Sequence, residues 1–324
     1  MILQTQIPIK KETHHPIEHS SKIQLLGSCF SQNIGNKFAY YKFQSQQNQF
    51  GILFHPKAIE KVISNAINLK TYTEKELFFL NERWHCFDAH SSVSDPRKEV
   101  LLDKLNTAVV SLQRQLHEAT HICITLGTSY AYRHKATDAL VANCHKVPQK
   151  EFFKELLTVA ETKESLQKTL ALIQSVNPKA SILITVSPVR HLKDGFAENQ
   201  QSKAHLLAAV HQVINPTNNI HYFPSYEILL DELRDYRFYT EDMIHPNQTA
   251  INYIWEHFSK TWISEEANKT MQAVANIQRG LNHKAFNEKS AQHQLFLKKL
   301  KEKIRTLEKD YPYIKFDSFL TQKK

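Results

Sequence analysis

Short apolar runs that end at glycine or serine alternate along this chain with longer stretches in which apolar residues recur every three or four positions. Ile23, Leu25 and Leu26 form the first run and Gly27 closes it, which predicts a buried strand leading into a tight turn. Ile34, Phe38 and Tyr41 follow at helical spacing, with Ser28 or Ser31 available as the cap. Residues 48–54 read as a glycine-containing turn beside an apolar segment, ending at His55-Pro56, and Ile59, Val62, Ile63 and Ile67 predict the next helix. The aromatic stretch 77–90 reads as a hairpin or irregular insertion, and a helix is expected over 97–117.

Residues 121–126 are filled with apolar and β-branched side chains up to Gly127 and predict a buried strand. Phe152, Phe153, Leu156, Leu157 and Ala160 read as the start of a long helical region continuing through Leu166, Leu170 and Ile173. A third strand is expected over 181–186, a helix over 203–213 and a short strand over 220–223. Pro246 suits the first turn of a closing helix whose apolar face is Ile251, Ile254, Trp255 and Phe258. Such alternation implies a mainly parallel sheet covered by helices, with active residues at the carboxyl ends of its strands.

At 324 residues and 41% hydrophobic, the chain has material for one α/β domain with an addition. The boundary falls near Ser264, giving a body over 1–263 and a basic helical extension over 264–324. In that extension Phe296, Leu300, Ile304 and Leu307 form one stripe, as expected for a helix packed on its own body or on a second copy of the chain. The net charge of +9 is uneven: 13 Lys and Arg against 7 Asp and Glu fall within 265–324, so this end carries +6 and the body +3. Glutamates interrupt the lysines and no aromatic stacking motif accompanies them, which favours a solvated helix face over a nucleic-acid partner.

No apolar run is long enough to span a bilayer, and the first residues lack the layout of a secretion signal. Cys29, Cys86, Cys123 and Cys144 are dispersed with no Cys-x-x-Cys pair, as expected of free thiols in a reducing compartment. A cytoplasmic location is the expectation.

The candidate chemistry lies at two distant points. Cys29 or Ser28, in the turn after the first strand, would stand where unpaired helix N–H groups favour an anion, lower a thiol pKa and stabilise an oxyanion. Asp242 and His245, three apart in a turn, allow the carboxylate to fix one imidazole tautomer and leave the other ring nitrogen to take a proton from the nucleophile. A metal reading would gather His85, Cys86, His90, Cys144, His145 and His245 around zinc. No pair among them has compact ligand spacing, so the expectation is no metal and no cofactor.

Gly27-Ser28-Cys29-Phe30 followed by Ser31 resembles the motif that names the GSCFA family. The likeness extends through Asn48-x-Phe-Gly51, Thr125-Leu126-Gly127-Thr128, Asn143-Cys144-His145, Val186-Ser187-Pro188-Val189-Arg190, Ser202-Lys203 and Asp242-x-x-His245-Pro246. That family is similar to the SGNH, or GDSL-like, hydrolases. The resemblance implies a three-layer α/β/α flavodoxin-like fold and ester hydrolysis or acyl transfer on a small-molecule or glycan acyl ester. Laid on the Gly-Asp-Ser-Leu pattern, Cys29 takes the serine position and Ser28 the aspartate position, so register favours Cys29 and chemical type favours Ser28. Cys29 is the expected nucleophile, because a thiol is activated by the same local field that would hold the oxyanion.

Gly51 resembles the glycine that supplies a second oxyanion donor. Gly127-Thr128-Ser129 matches the Gly-x-Asn block with Ser129 in place of asparagine, leaving Asn143 or His145 as replacements. Arg190, at a strand end, would bind an anionic group. The competing expectation is a binding protein that keeps the fold without turnover.

Overall fold

Both faces of the central strands are apolar, and the chain covers both. The computed structural model describes residues 5–316. Five strands, β1 (Lys22–Gly27), β2 (Gln44–Gln47), β5 (His121–Leu126), β9 (Ser181–Val186) and β10 (Ile220–Tyr222), pair in parallel in the order β2-β1-β5-β9-β10. This is the flavodoxin-like order, with its reversal between β1 and β5. Leu26, Ile122, Ile124, Leu126, Ile182, Ile184 and Val186 point to one face, where α2 (Pro56–Ile67), α3 (Lys98–Glu118), α4 (Val159–Val176) and α5 (Phe196–His211) pack. Ile23, Leu25, Cys123 and Leu183 point to the other, against α1 (Cys29–Tyr40) and α7 (Gln248–Trp262). The result is a three-layer α/β/α body.

Two insertions stand at the carboxyl end of the sheet. One is the hairpin of β3 (Leu77–Leu80) and β4 (Arg83–Cys86), as expected over 77–90. The other is an antiparallel sheet of β6 (Tyr130–His134), β7 (Ala139–Val141) and β8 (Phe152–Leu156) in the order β7-β6-β8. Residues 152–156 are thus strand and not the start of a helix. The helix begins after Thr158, whose side chain accepts from the Glu161 N–H while the Glu161 carboxylate accepts from the Thr158 N–H.

A short helix α6 (Ser225–Glu227) runs into a π-turn over Ile228–Leu233. Pro246 lies just outside α7, where its backbone bridges Tyr239; Asn247 is the cap and accepts from the Ala250 N–H. Beyond Ile263, α8 (Glu265–Leu281) starts on a Ser264 cap and pairs with α9 (Ala291–Asp310). Leu300, Ile304 and Leu307 of the expected stripe are buried against Val274 and Ile277 of α8, so the stripe is covered by its own chain. Tyr313 stacks on His19 and Tyr311 meets the same ring at a tilt, tying this pair to the body. Among the described residues no helix is long and apolar enough to cross a membrane.

Candidate functional site

Beyond the carboxyl ends of the strands lies a cleft of about 840 Å³. Cys29 from the start of α1 and His245 from the loop before α7 both line it, so the two remote segments meet. The tight turn that delivers Cys29 depends on Gly27, which has φ of +127°, a region that L side chains rarely adopt. The Ser28 N–H donates to Thr125 O at 3.0 Å and the Leu53 N–H donates to Gly27 O at 2.9 Å, pinning the turn to both neighbouring segments.

Ser28 itself is fully buried, does not line the cleft, and its Oγ has no hydrogen-bond partner among the described residues. Its side chain does not cap α1, contrary to expectation, and neither Ser28 nor Ser31 makes a side-chain cap bond. Cys29 is the member of the pair that faces the cleft. The thiol pKa is raised, not lowered as expected: burial is the largest influence, opposed by the Lys203 charge and by the Phe30 and Cys29 N–H groups at the helix start.

Asp242 and His245 form the expected dyad. His245 Nδ1 lies 2.7 Å from Asp242 Oδ2, while Asp242 Oδ1 accepts from Thr240 Oγ1 at 2.6 Å, the Ile244 N–H at 2.8 Å and the His245 N–H at 3.0 Å. These bonds, with Thr240 contributing most, hold the carboxyl far below the usual carboxylate range. An ionised Asp242 makes His245 Nδ1 the protonated nitrogen and leaves Nε2 as the acceptor, an assignment that follows from the hydrogen bonds.

The three expected oxyanion positions are otherwise engaged. The Gly51 N–H closes a turn onto Asn48 O at 2.7 Å, and the residue packs on His90 outside the cleft. The Gly127 N–H donates to Phe54 O at 2.7 Å. Ser129 is fully buried against α5, its N–H donating to Ser202 Oγ at 2.7 Å and its Oγ to Ser202 O at 2.6 Å. None of the three is a free donor to the cleft.

Asn143, His145 and Arg190 do line it. Both ring nitrogens of His145 are used, Nε2 donating to Cys86 O at 2.8 Å and Nδ1 lying 3.1 Å from Ser91 Oγ. Asn143 Oδ1 accepts from Ser91 Oγ and the His145 N–H, and among the described residues its Nδ2 makes no protein hydrogen bond. The Arg190 guanidinium lies over the Tyr239 ring, 4.3 Å from its centroid, and over Tyr236 at 5.4 Å, with no carboxylate partner among the described residues. His85, from the metal reading, is bonded to Ser94 Oγ and Leu80 O. Among the described residues no three or more His, Cys, Asp or Glu gather as a metal site.

Two residues without an assigned role sit beside these. His191 lines the cleft edge-on to Phe54; burial first, then the Lys203 and His245 charges, pull its pKa down to about 3, so its ring is neutral. Lys203 lies outside the cleft lining and is 1% exposed, its Nζ donating to Gly127 O and Ser187 O at 2.7 Å each. Burial pulls its pKa down to about 7, and the Cys29 charge opposes that shift.

The family model described as "GSCFA family" matches residues 22–258, which contain all of these groups. A second, described as "GSCFA domain protein, C-terminal domain", matches residues 274–322, from the second half of α8 through α9. No curated protein matches the sequence. The chain belongs to the GSCFA family.

Proposed function

We propose that this chain is a cysteine-dependent acyl-ester hydrolase or acyltransferase. One observation carries the reading: a thiol at a helix start and a carboxylate-bound imidazole, far apart in sequence, line one cleft. His245 Nε2 takes the Cys29 proton, and the thiolate attacks the ester carbonyl carbon. The N–H groups of Cys29 and Phe30 at the helix start, which draw the thiol pKa down, receive the oxyanion, with Asn143 Nδ2 as the further donor from the cleft wall. Collapse of the tetrahedral intermediate expels the alcohol, which takes its proton from His245, and leaves a thioester. Water releases the acid, or a second hydroxyl accepts the acyl group. Arg190 and Lys146 put positive charge on the cleft, which suits an ester bearing an anionic group on a small molecule or glycan.

An O-acyl ester panel, including acetylated oligosaccharides, tests this with wild type, Cys29→Ala, His245→Ala and Ser28→Ala. Cys29→Ala and His245→Ala are expected to lose about 10³-fold or more in kcat/KM, with Ser28→Ala within about tenfold of wild type. Turnover that survives Cys29→Ala and His245→Ala overturns the mechanism. Binding of an ester without turnover by wild type would favour a non-catalytic binding protein.

A further inference from the structure

His191 follows the end of β9 and shares the cleft with Cys29 and His245. Backbone and ring alike are held there. Its N–H donates to Asn199 Oδ1 at 2.8 Å, its ring stands edge-on to Phe54 with centroids 5.4 Å apart, and a Cβ built on Gly127 would lie 3.2 Å from its Nε2. Strand order sets the neighbourhood: Gly127 follows β5, which pairs with β1, and the turn after β1 delivers Cys29. His191 Nε2 is enclosed and has no hydrogen-bond partner among the described residues. A proton there would be stranded, because Phe54 O, 3.1 Å from the same Cβ position, already accepts from the Gly127 and Thr128 N–H groups. What faces Nε2 is an α-hydrogen of Gly127, a weak donor suited to a lone pair. Burial keeps the ring neutral, so its one ring proton belongs on Nδ1. That nitrogen is not enclosed, and none of the described residues accepts from it.

We propose that His191 is a further catalytic residue of this cleft, its Nδ1–H donating a hydrogen bond to the oxyanion that forms on the ester carbonyl. Gly51, Gly127 and Ser129 have no donor to spare, since their polar groups are bonded to Asn48, Phe54 and Ser202. His191 supplies one from β9, the strand next to β5, and adds it to the N–H groups of α1 and to Asn143 from the connection between β7 and β8. A neutral imidazole suits the task, because it lends its hydrogen as negative charge grows on the oxygen and keeps it when the intermediate collapses. No bond to that hydrogen breaks. The thiol proton passes to His245 and on to the alcohol, with His191 outside the transfer. This role rests on the acyl reading, whereas the tautomer does not.

Long-range ¹H–¹⁵N NMR of the histidine rings in the full chain at pH 7, with His191→Gln assigning the resonance, reads the tautomer. A neutral ring protonated on Nδ1 is expected; a proton on Nε2, or an imidazolium, overturns the proposal. On an ester that wild type turns over, His191→Leu is expected to lose about 10²-fold in kcat with KM within about threefold, and His191→Gln, which keeps a side-chain N–H, to recover about tenfold of that loss. Alkylation of Cys29 by iodoacetamide is a displacement that forms no oxyanion, so its rate should match wild type in both variants. Unchanged kcat in His191→Leu, or a fall matched by equally slowed alkylation, overturns the proposal. Should His191→Leu not fold, His191→Phe, which keeps a ring without a donor, takes its place, and the NMR result stands on wild type alone. A wild type that turns over no ester removes the acyl reading and this role together, whereas an active wild type beside an unimpaired His191→Leu removes this role alone.

Discussion

Gly27 sets the geometry of the nucleophile turn. A Cβ built there would lie 2.0 Å from Thr125 O, a backbone atom that cannot retreat without opening the β1–β5 ladder. Gly27→Ala therefore meets both an unfavourable φ and a clash, and is expected to cost about 3 kcal/mol or more in urea unfolding. A variant within about 0.5 kcal/mol of wild type would mean that the turn relaxes freely. Gly27, Cys29, Asp242 and His245 were legible in the sequence because each sits in a short local motif. Gly51, Gly127 and Ser129 were not, because the partners that occupy their polar groups come from tertiary packing or from the local turn, as with Phe54, Ser202 and Asn48. Lys203 falls on the same stripe of α5 as Leu206 and Val210, where a lysine is out of place unless buried acceptors hold it, as the Gly127 and Ser187 carbonyls do.

At the level of elements, the strands with β-branched apolar runs and the helices with clear stripes were readable, while β2 and the antiparallel β6, β7 and β8 were not. β2 has the sequence Gln-Ser-Gln-Gln and lies at the sheet edge, so no apolar alternation marks it. β8 offers Phe152, Phe153 and Leu156, a spacing that one turn of helix would share, and the true helix start is marked by the Thr158–Glu161 capping box. The α8–α9 pair has its own apolar cluster, separate from those on the two faces of the sheet. Ile304 is fully buried in that cluster, so Ile304→Ala is expected to cost about 2–5 kcal/mol locally. Hydrogen exchange should then quicken in α9 while amides of β5 and β9 keep their protection. Equal loss of protection in the central sheet would show that the tail and body open as one unit.

Across the whole molecule, buried neutral histidines couple stability to acid. His55 caps α2 by accepting the Ala58 N–H at Nδ1 and donates from Nε2 to Val141 O, a pattern only the neutral ring can make. His145 and His191 are likewise held neutral in the cleft wall, and burial, the largest cause in each, pulls the three pKa values down to about 4, 4 and 3 from 6.5. As pH falls through 6.5 the unfolded chain protonates these rings and the folded chain does not, so unfolding takes up as many as three protons. Unfolding free energy therefore falls with pH, by up to about 4 kcal/mol per pH unit where all three differ. Histidine stability is present above pH 6.5 and is lost as pH approaches 4, while the Cys, Lys and Tyr shifts act at or above neutral pH. Urea midpoints measured at pH 7, 6 and 5 should drop steeply, and His55→Gln, which keeps a side-chain acceptor and donor without the ionisation, should flatten the slope by up to about 1.4 kcal/mol per pH unit, one proton's worth. A midpoint that stays level from pH 7 to 5 would mean that these rings titrate inside the folded protein, and the cleft wall they support would then have to open before the chain unfolds.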